Sequence, residues 1–200
     1  MDKSDVKIIS ETLIYQGFVS VKRYLLAHKL FNGGWGDTLS REIVVRRNAA
    51  GLLPYDPALD KIVMIEQFRA GALEDLKTPW MIEVVAGIKE AGETAEALVI
   101  REAREEAGLE VLDLMPIANY WTSPGGSTEY MSLFCGKVDA SGAGGIYGLV
   151  EEGEDIRVHV MDADQAFQSV RENKVNNAMS IMALMWLELN RERLKRIWAD

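Results

Sequence analysis

The first seventy residues place apolar side chains in short runs suited to strands. "VKIISETLIY" (6–15), "FVSVKRYLLAHKLF" (18–31), "LSREIVVRR" (39–47) and "KIVMIEQFR" (61–69) are rich in β-branched and aromatic residues, which predicts strands. "NGGWGD", from Asn32 to Asp37, reads as a turn, and "LLPYDPALD", with two prolines and two aspartates, reads as a loop. "WMIEVVAG" (80–87) predicts a further strand. Beyond Gly92 the period changes: Ala95, Leu98, Val99, Ala103 and Ala107 form one inward face of a helix, with Thr94 as N-cap and Gly108 as its stop. "VLDLMPIANYW" and "STEYMSLFCGKV" predict two more strands joined by a tight "TSPGG" loop. The glycine-rich, acidic stretch "SGAGGIYGLVEEGED" (141–155) reads as a loop leading to the strand "IRVHVM". Asp162 can cap a helix over "ADQAFQSVREN", and "NAMSIMALMWLELNRERLKRIW" repeats apolar residues at helical spacing through Trp186 and Leu189. Its Met and Trp stripe is expected to pack in a core. This order predicts an α/β protein with helices on both sides of a sheet. Residues 1–48 form a β-rich N-terminal extension and 49–200 the main domain.

Composition narrows the function classes. A chain of 200 residues can bury a sizeable core, and no run approaches the roughly 18 apolar residues of a membrane span. The first residues, Met1 to Asp5, are polar and lack the apolar core of a signal peptide. Cys135 is the single cysteine and lies in an apolar run, so an inert buried thiol and a cytoplasmic location are expected. His28 and His159 have no evident partner in sequence and read as packed or surface residues. The net charge of −9 argues against nucleic acid as a partner. An anionic substrate would need positive charge supplied locally or through a metal.

The helix after Gly92 carries the chemical question. Glu102 and Glu106 lie four apart and share a face, with Cβ atoms roughly 5–6 Å apart, and Glu105 stands three from Glu102. Like charges at this spacing are destabilising. Either Arg101 and Arg104 balance them on a solvated surface, or a divalent cation removes the conflict. Mg²⁺ takes carboxylate and water oxygens and shares them with substrate phosphates. A second acidic group, "EEGE" at 151–154, reads either as a solvated loop or as a source of further carboxylates. Arg41, Arg46, Arg47 and Arg69 cluster in the strand-rich half; by alternation Arg41 and Arg47 share a face and Arg46 takes the other.

The spacing is specific. Gly87, five residues, Glu93, seven residues, then Arg101-Glu102-Ala103-Arg104-Glu105-Glu106-Ala107-Gly108-Leu109 resembles the signature of the Nudix hydrolases. Ala103 departs from it, standing where the signature prefers a larger aliphatic residue. The resemblance implies an α/β/α sandwich around a mixed sheet, and hydrolysis of a nucleoside diphosphate linked to a further moiety. It implies Mg²⁺, with Mn²⁺ able to substitute, and more than one ion per site. It makes Glu102, Glu106, Glu154 and the carbonyl of Ala86 metal ligands, and Glu105 a further candidate ligand or a support for one. Arg101 would orient the carboxylates, Glu93 would close the loop–helix unit, and Glu152 would be the general base.

"ETLIYQGF", "IEQFR", "EVVAG", "SPGGSTE" and "EDIRVHV" extend the likeness to the bacterial ADP-ribose pyrophosphatase branch, as does Pro124, fifteen residues beyond Leu109. That branch implies cleavage of ADP-ribose to AMP and ribose 5-phosphate. It also implies a homodimer whose N-terminal strands are exchanged. Phe18 and Val19 would lie beside the adenine, and Arg41, Glu42, Arg46, Arg69, Ile88, Ser123, Pro124, Gly125 and Glu129 would contact substrate. A branch acting on GDP-mannose and similar sugar nucleotides shares part of the pattern. A non-catalytic nucleotide-sensing domain is the reading from another class; the intact glutamates and the lack of a basic appendage speak against it.

Overall fold

The computed structural model describes residues 1–75 and 77–199, with the backbone but not the side chain of Glu152. The chain forms two compact units, Met1–Asn48 with Tyr120–Met131, and Ala49–Asn119 with Ser132–Asp200.

The first unit is built on a three-stranded antiparallel sheet of β1 (Val6–Gln16), β2 (Ser20–His28) and β3 (Leu39–Val45). Every residue of β1 is exposed, including Val6, Ile8, Ile9, Leu13, Ile14 and Tyr15. The segment 123–129 docks on the end of β3. Val44 N–H donates to the Gly126 carbonyl, Thr128 N–H donates to the Val44 carbonyl, and Arg46 N–H donates to Thr128 Oγ1.

The second unit centres on an eight-stranded sheet. It contains β4 (Ala49–Asp56), β5 (Lys61–Phe68), β6 (Trp80–Glu83), β7 (Val85–Ile88), β8 (Asp113–Trp121), β9 (Tyr130–Lys137), β10 (Gly145–Tyr147) and β11 (Ile156–Asp162). The order is β10-β11-β5-β4-β9-β8, with β6 paired to β5 and β7 to β4. Helix α1 (Ala95–Ala107) packs on β7 and β4, α2 (Ala163–Arg171) on β11 and β5, and α3 (Ala178–Ile197) on β4. Strand β4 shows both faces at work. Ala50 and Leu52 join the core under α1, whereas Gly51 faces Met179 of α3. The α/β/α layering expected from the sequence is present.

Four expectations need correction. "LLPYDPALD" is not a loop throughout: Leu52–Asp56 completes β4 and is fully buried. A strand covered on both faces has no polar alternation to betray it. Pro54 falls between the ladder to β7, which runs to Leu52, and the ladder to β5, which begins at Tyr55. "WMIEVVAG" is two strands because Val84 turns its N–H to Ser180 Oγ of α3, at 2.9 Å, while Asn177 Nδ2 donates to the Ile82 carbonyl. The stretch 141–155 contains β10, which pairs with β11. In α3 the inward residues are Ala183, Leu184, Leu187 and Leu194; Met185 and Leu189 point outward, Leu189 at 86% exposure. Cys135 is buried as expected, and burial pushes its thiol well above the usual range.

Asp60 ties α3 to the sheet. Tyr55 Oη donates to it at 2.7 Å, Lys195 Nζ lies at 2.9 Å, and the Arg191 guanidinium pairs with both its oxygens. Burial alone would raise its pKa, but these donors outweigh burial and hold it well below the usual carboxylate range. A depressed carboxylate contributes stability above its unfolded pKa of about 4, and that contribution is lost as the pH falls further. Asp60→Asn is expected to cost about 2 kcal/mol at pH 7. In denaturant unfolding, the gap to the parent should narrow below about pH 4; a gap that stays constant would contradict the account.

Candidate active site

Helix α1 is set by its ends. Thr94 Oγ1 accepts from Ala97 N–H at 3.1 Å, and Gly108 adopts φ 63°, returning its N–H to the Ala103 and Arg104 carbonyls. Leu98, Val99, Ala103 and Ala107 anchor the inward face, so Glu102 and Glu106 are carried toward β7. Ala103 packs fully buried; its small side chain is a departure in volume only.

The carboxylates are densely coupled. Arg101 Nη1 donates to Glu105 at 2.7 Å and lies 2.9 Å from Glu102, while its Nε donates to Glu93 at 3.2 Å. Glu93 also accepts from Glu90 N–H, closing the loop before the helix. Glu106 is only 2% exposed and accepts from Ala86 N–H at 3.0 Å. Gly87 has no side chain for a physical reason: a Cβ there would overlap the Glu102 carboxylate. Burial pushes Glu102 up to about 7, with Arg101 opposing and Glu105 and Glu154 adding repulsion. Burial pushes Glu106 up to about 8; the Ala86 N–H opposes this, Glu102 and Glu154 reinforce it, and Arg69 opposes it again.

Glu154 adds to the negative field that disfavours charge on both helix carboxylates. Its loop is pinned: Glu154 Oε2 accepts from Leu149 N–H at 3.1 Å, and Gly148 N–H donates to the Glu105 carbonyl. The backbone of Glu152 ends a short 3-10 turn, Val150–Glu152; its side chain lies outside the described residues. Arg69 extends β5 by one residue, donating its N–H to the Pro79 carbonyl, and pairs with Glu83 of β6 at 2.6 Å. Ile88 ends β7, half-buried.

The donor set suits a hard divalent cation. Glu102, Glu106 and Glu154 offer carboxylate oxygens, buried or mutually repelling, and a cation among them would remove both costs. As they stand, no three acidic, His or Cys side chains among the described residues form a ready-made cage. Arg101 holds Glu102 and Glu105, and Ala86 N–H holds Glu106.

The remaining substrate-contact candidates lie in the first unit. Arg46 Nε pairs with Glu129 at 3.1 Å, next to the turn in which the Ser123 carbonyl accepts from Gly126 and Ser127 N–H. Ser123, Pro124 and Gly125 are exposed. Glu42 is held by Arg23 at 2.7 Å, and Arg41 donates to the Ser40 carbonyl. Phe18 is 87% exposed beside half-buried Val19, at the turn between β1 and β2. His159 does have a partner, Glu66 across the β11–β5 ladder at 2.9 Å, which only the register reveals.

Residues 45–184 match the NUDIX domain. The chain belongs to the NUDIX family. It is 48% identical over 197 residues to the ADP-ribose pyrophosphatase of Escherichia coli K12, covering 98% of this chain and 94% of that protein. Against the ADP-ribose pyrophosphatase of Haemophilus influenzae the identity is 41% over 199 residues, covering 98% and 92%. The GDP-mannose pyrophosphatase of Cronobacter sakazakii is 33% identical over 150 residues, covering 74% and 78%. A solved structure described as an ADP compounds hydrolase superposes with a TM-score of 0.72 over 96% of each chain at 17% identity, a likeness of NUDIX fold. No helix among the described residues is long and apolar enough to cross a membrane.

Proposed function

We propose that this NUDIX protein hydrolyses the diphosphate of ADP-ribose, releasing AMP and ribose 5-phosphate, with Mg²⁺ as the physiological ion and Mn²⁺ able to replace it. The observation that carries the reading is the pair Glu102 and Glu106 on the α1 face toward β7, Glu106 accepting from Ala86 N–H and Glu102 lying against Gly87, with Glu154 adding to the negative field on both. These three and the Ala86 carbonyl would hold the ions. A divalent cation held there would supply positive charge to a diphosphate and would acidify an attacking water. Arg101 fixes Glu102 and Glu105, so the acidic face is oriented before substrate arrives. Glu152 takes the proton from the attacking water. Phe18 and Val19 flank the adenine, and Arg41, Glu42, Arg46, Arg69, Ile88, Ser123, Pro124, Gly125 and Glu129 contact the rest of the substrate.

The substrate follows from relatives named for ADP-ribose that align over nearly the whole chain, whereas the GDP-mannose enzyme aligns over 74% of it. Among ADP-ribose, GDP-mannose and simple nucleoside triphosphates, ADP-ribose is expected to give the highest kcat/KM. A site built to pair one base and ribose leaves polar groups unpaired with the others. A preference for GDP-mannose would move the chain to another sugar nucleotide.

The active form is a homodimer. The fully exposed β1, with its row of apolar side chains, needs a cover that a small ribbon cannot supply for itself. A second copy contributing its own N-terminal strands provides it. Sedimentation at low micromolar concentration should find a dimer, and an active, folded monomer would contradict this. A buried, unpaired Cys135 accords with a reducing cytoplasm.

A further inference from the structure

Of the three residues of β10, Tyr147 is the one that turns a side chain into the protein. Gly145 has none, and Ile146 is 61% exposed. Tyr147 is half-buried and packs against the core under α1. Its ring lies directly over Gly108, where a Cβ would meet Cε1 and Oη at 2.6 Å and Cζ at 2.7 Å. The stop of α1 therefore needs glycine twice, for its φ of 63° and for the ring above it.

The backbone carries this contact on to Glu154. Gly148 N–H, next in the chain, donates to the Glu105 carbonyl at 3.4 Å. Leu149 N–H donates to Glu154 Oε2 at 3.1 Å, and Glu154 N–H returns to the Leu149 carbonyl at 3.2 Å. A Cβ at Gly148 would fall 2.7 Å from Glu154 Cβ, so Glu154 is seated on Gly148 itself. Gly145 and Gly148, at φ 108° and 102°, give the flanking backbone a freedom that costs entropy to restrain. Strand β10 lies at the sheet edge, and its ladder to β11 covers three pairs. The ring on the end of α1 adds the restraint that ties this segment to the acidic helix.

We propose that Tyr147 is a positioning residue: its ring, seated on the C-terminal end of α1, fixes where Glu154 stands relative to Glu102 and Glu106, and so sets the affinity for a divalent cation. This rests on the reading of Glu154 as a metal ligand. The path is short at both ends, since Gly108 follows Glu106 by two residues and Gly148 is bonded to Glu105. The ring itself touches neither ion nor substrate in this role.

The test measures Mn²⁺ binding to the substrate-free protein by electron paramagnetic resonance, beside the Mg²⁺ dependence of ADP-ribose hydrolysis. Tyr147→Ala is expected to raise the Mn²⁺ Kd and the half-saturating Mg²⁺ concentration about 10-fold, the low end of the range for groups that orient metal ligands. At saturating Mg²⁺, kcat should stay within about threefold of the parent. Tyr147→Phe, which keeps the ring, should bind Mn²⁺ as the parent does. In a Glu154→Gln background Tyr147→Ala should add little further loss, because both changes act through one side chain. Tyr147→Leu, which keeps apolar bulk against the core, is read in the same way and serves if the Ala variant does not fold. A lower thermal midpoint with parental Mn²⁺ binding shows a ring that only packs, and overturns the proposal. So do Ala and Leu variants that both fail to fold, or a full additional loss in the Glu154→Gln background. Parental Mn²⁺ binding by Glu154→Gln itself overturns the reading of Glu154 as a ligand. Weakened binding by Glu154→Gln beside an unchanged Tyr147→Ala overturns the role of Tyr147 alone.

Discussion

Glu106→Gln is expected to lower kcat on ADP-ribose by at least about 100-fold, since loss of groups that merely support metal ligands already costs 10–100-fold. Glu106 has the most enclosed carboxylate of the helix, 2% exposed, with one N–H bond from Ala86. An amide there keeps the shape and one acceptor oxygen but cannot supply the negative charge. Because burial and the neighbours Glu102 and Glu154 all disfavour that charge in the free protein, the substitution should not lower the thermal midpoint. Stability held or raised, together with activity lost, is the signature of a site built for a ligand. A fully active Glu106→Gln protein would remove the metal-binding helix from the account.

Glu152→Gln carries the second large effect. Four carboxylates of the helix and its loop are already engaged: Glu93, Glu102 and Glu105 with Arg101, and Glu106 with Ala86. Glu154 accepts from Leu149 and sits in the same field of charge. A carboxylate committed to a cation is a poor proton acceptor, and the resemblance to the Nudix hydrolases points to Glu152 of the "EEGE" segment as the proposed base. General-base contributions are about 10²–10⁴-fold, and Glu152→Gln should lower kcat by that order with little change in KM. Glu154→Gln should differ in kind, recovering activity as Mg²⁺ is raised. The comparison is kcat and KM for both variants across a Mg²⁺ titration. If Glu152→Gln stays within about threefold of the parent, the base is Glu105 or Glu151 instead.

The chain announces some of this and conceals the rest for definite reasons. Helix α1 was legible because its caps, inward face and carboxylate spacing all lie within one local segment, where the period of 3.6 links them directly. The pairing of Arg101 with Glu105 follows from the same spacing. Strand β4 is hidden because helices cover both its faces, and Pro54 within it and Pro57 just after it imitate a loop. The break at Val84 depends on Ser180, ninety-six residues away. Arg69–Glu83, Glu42–Arg23 and His159–Glu66 are pairs of register, and register is set by the whole sheet.

The measurement closest to the central claim is the product analysis of ADP-ribose incubated with the purified protein. AMP and ribose 5-phosphate are expected in equal amounts with Mg²⁺, with none in excess chelator and recovery when Mg²⁺ or Mn²⁺ is returned. Hydrolysis that persists in chelator, or ADP-ribose left intact while another sugar nucleotide is consumed, would contradict it.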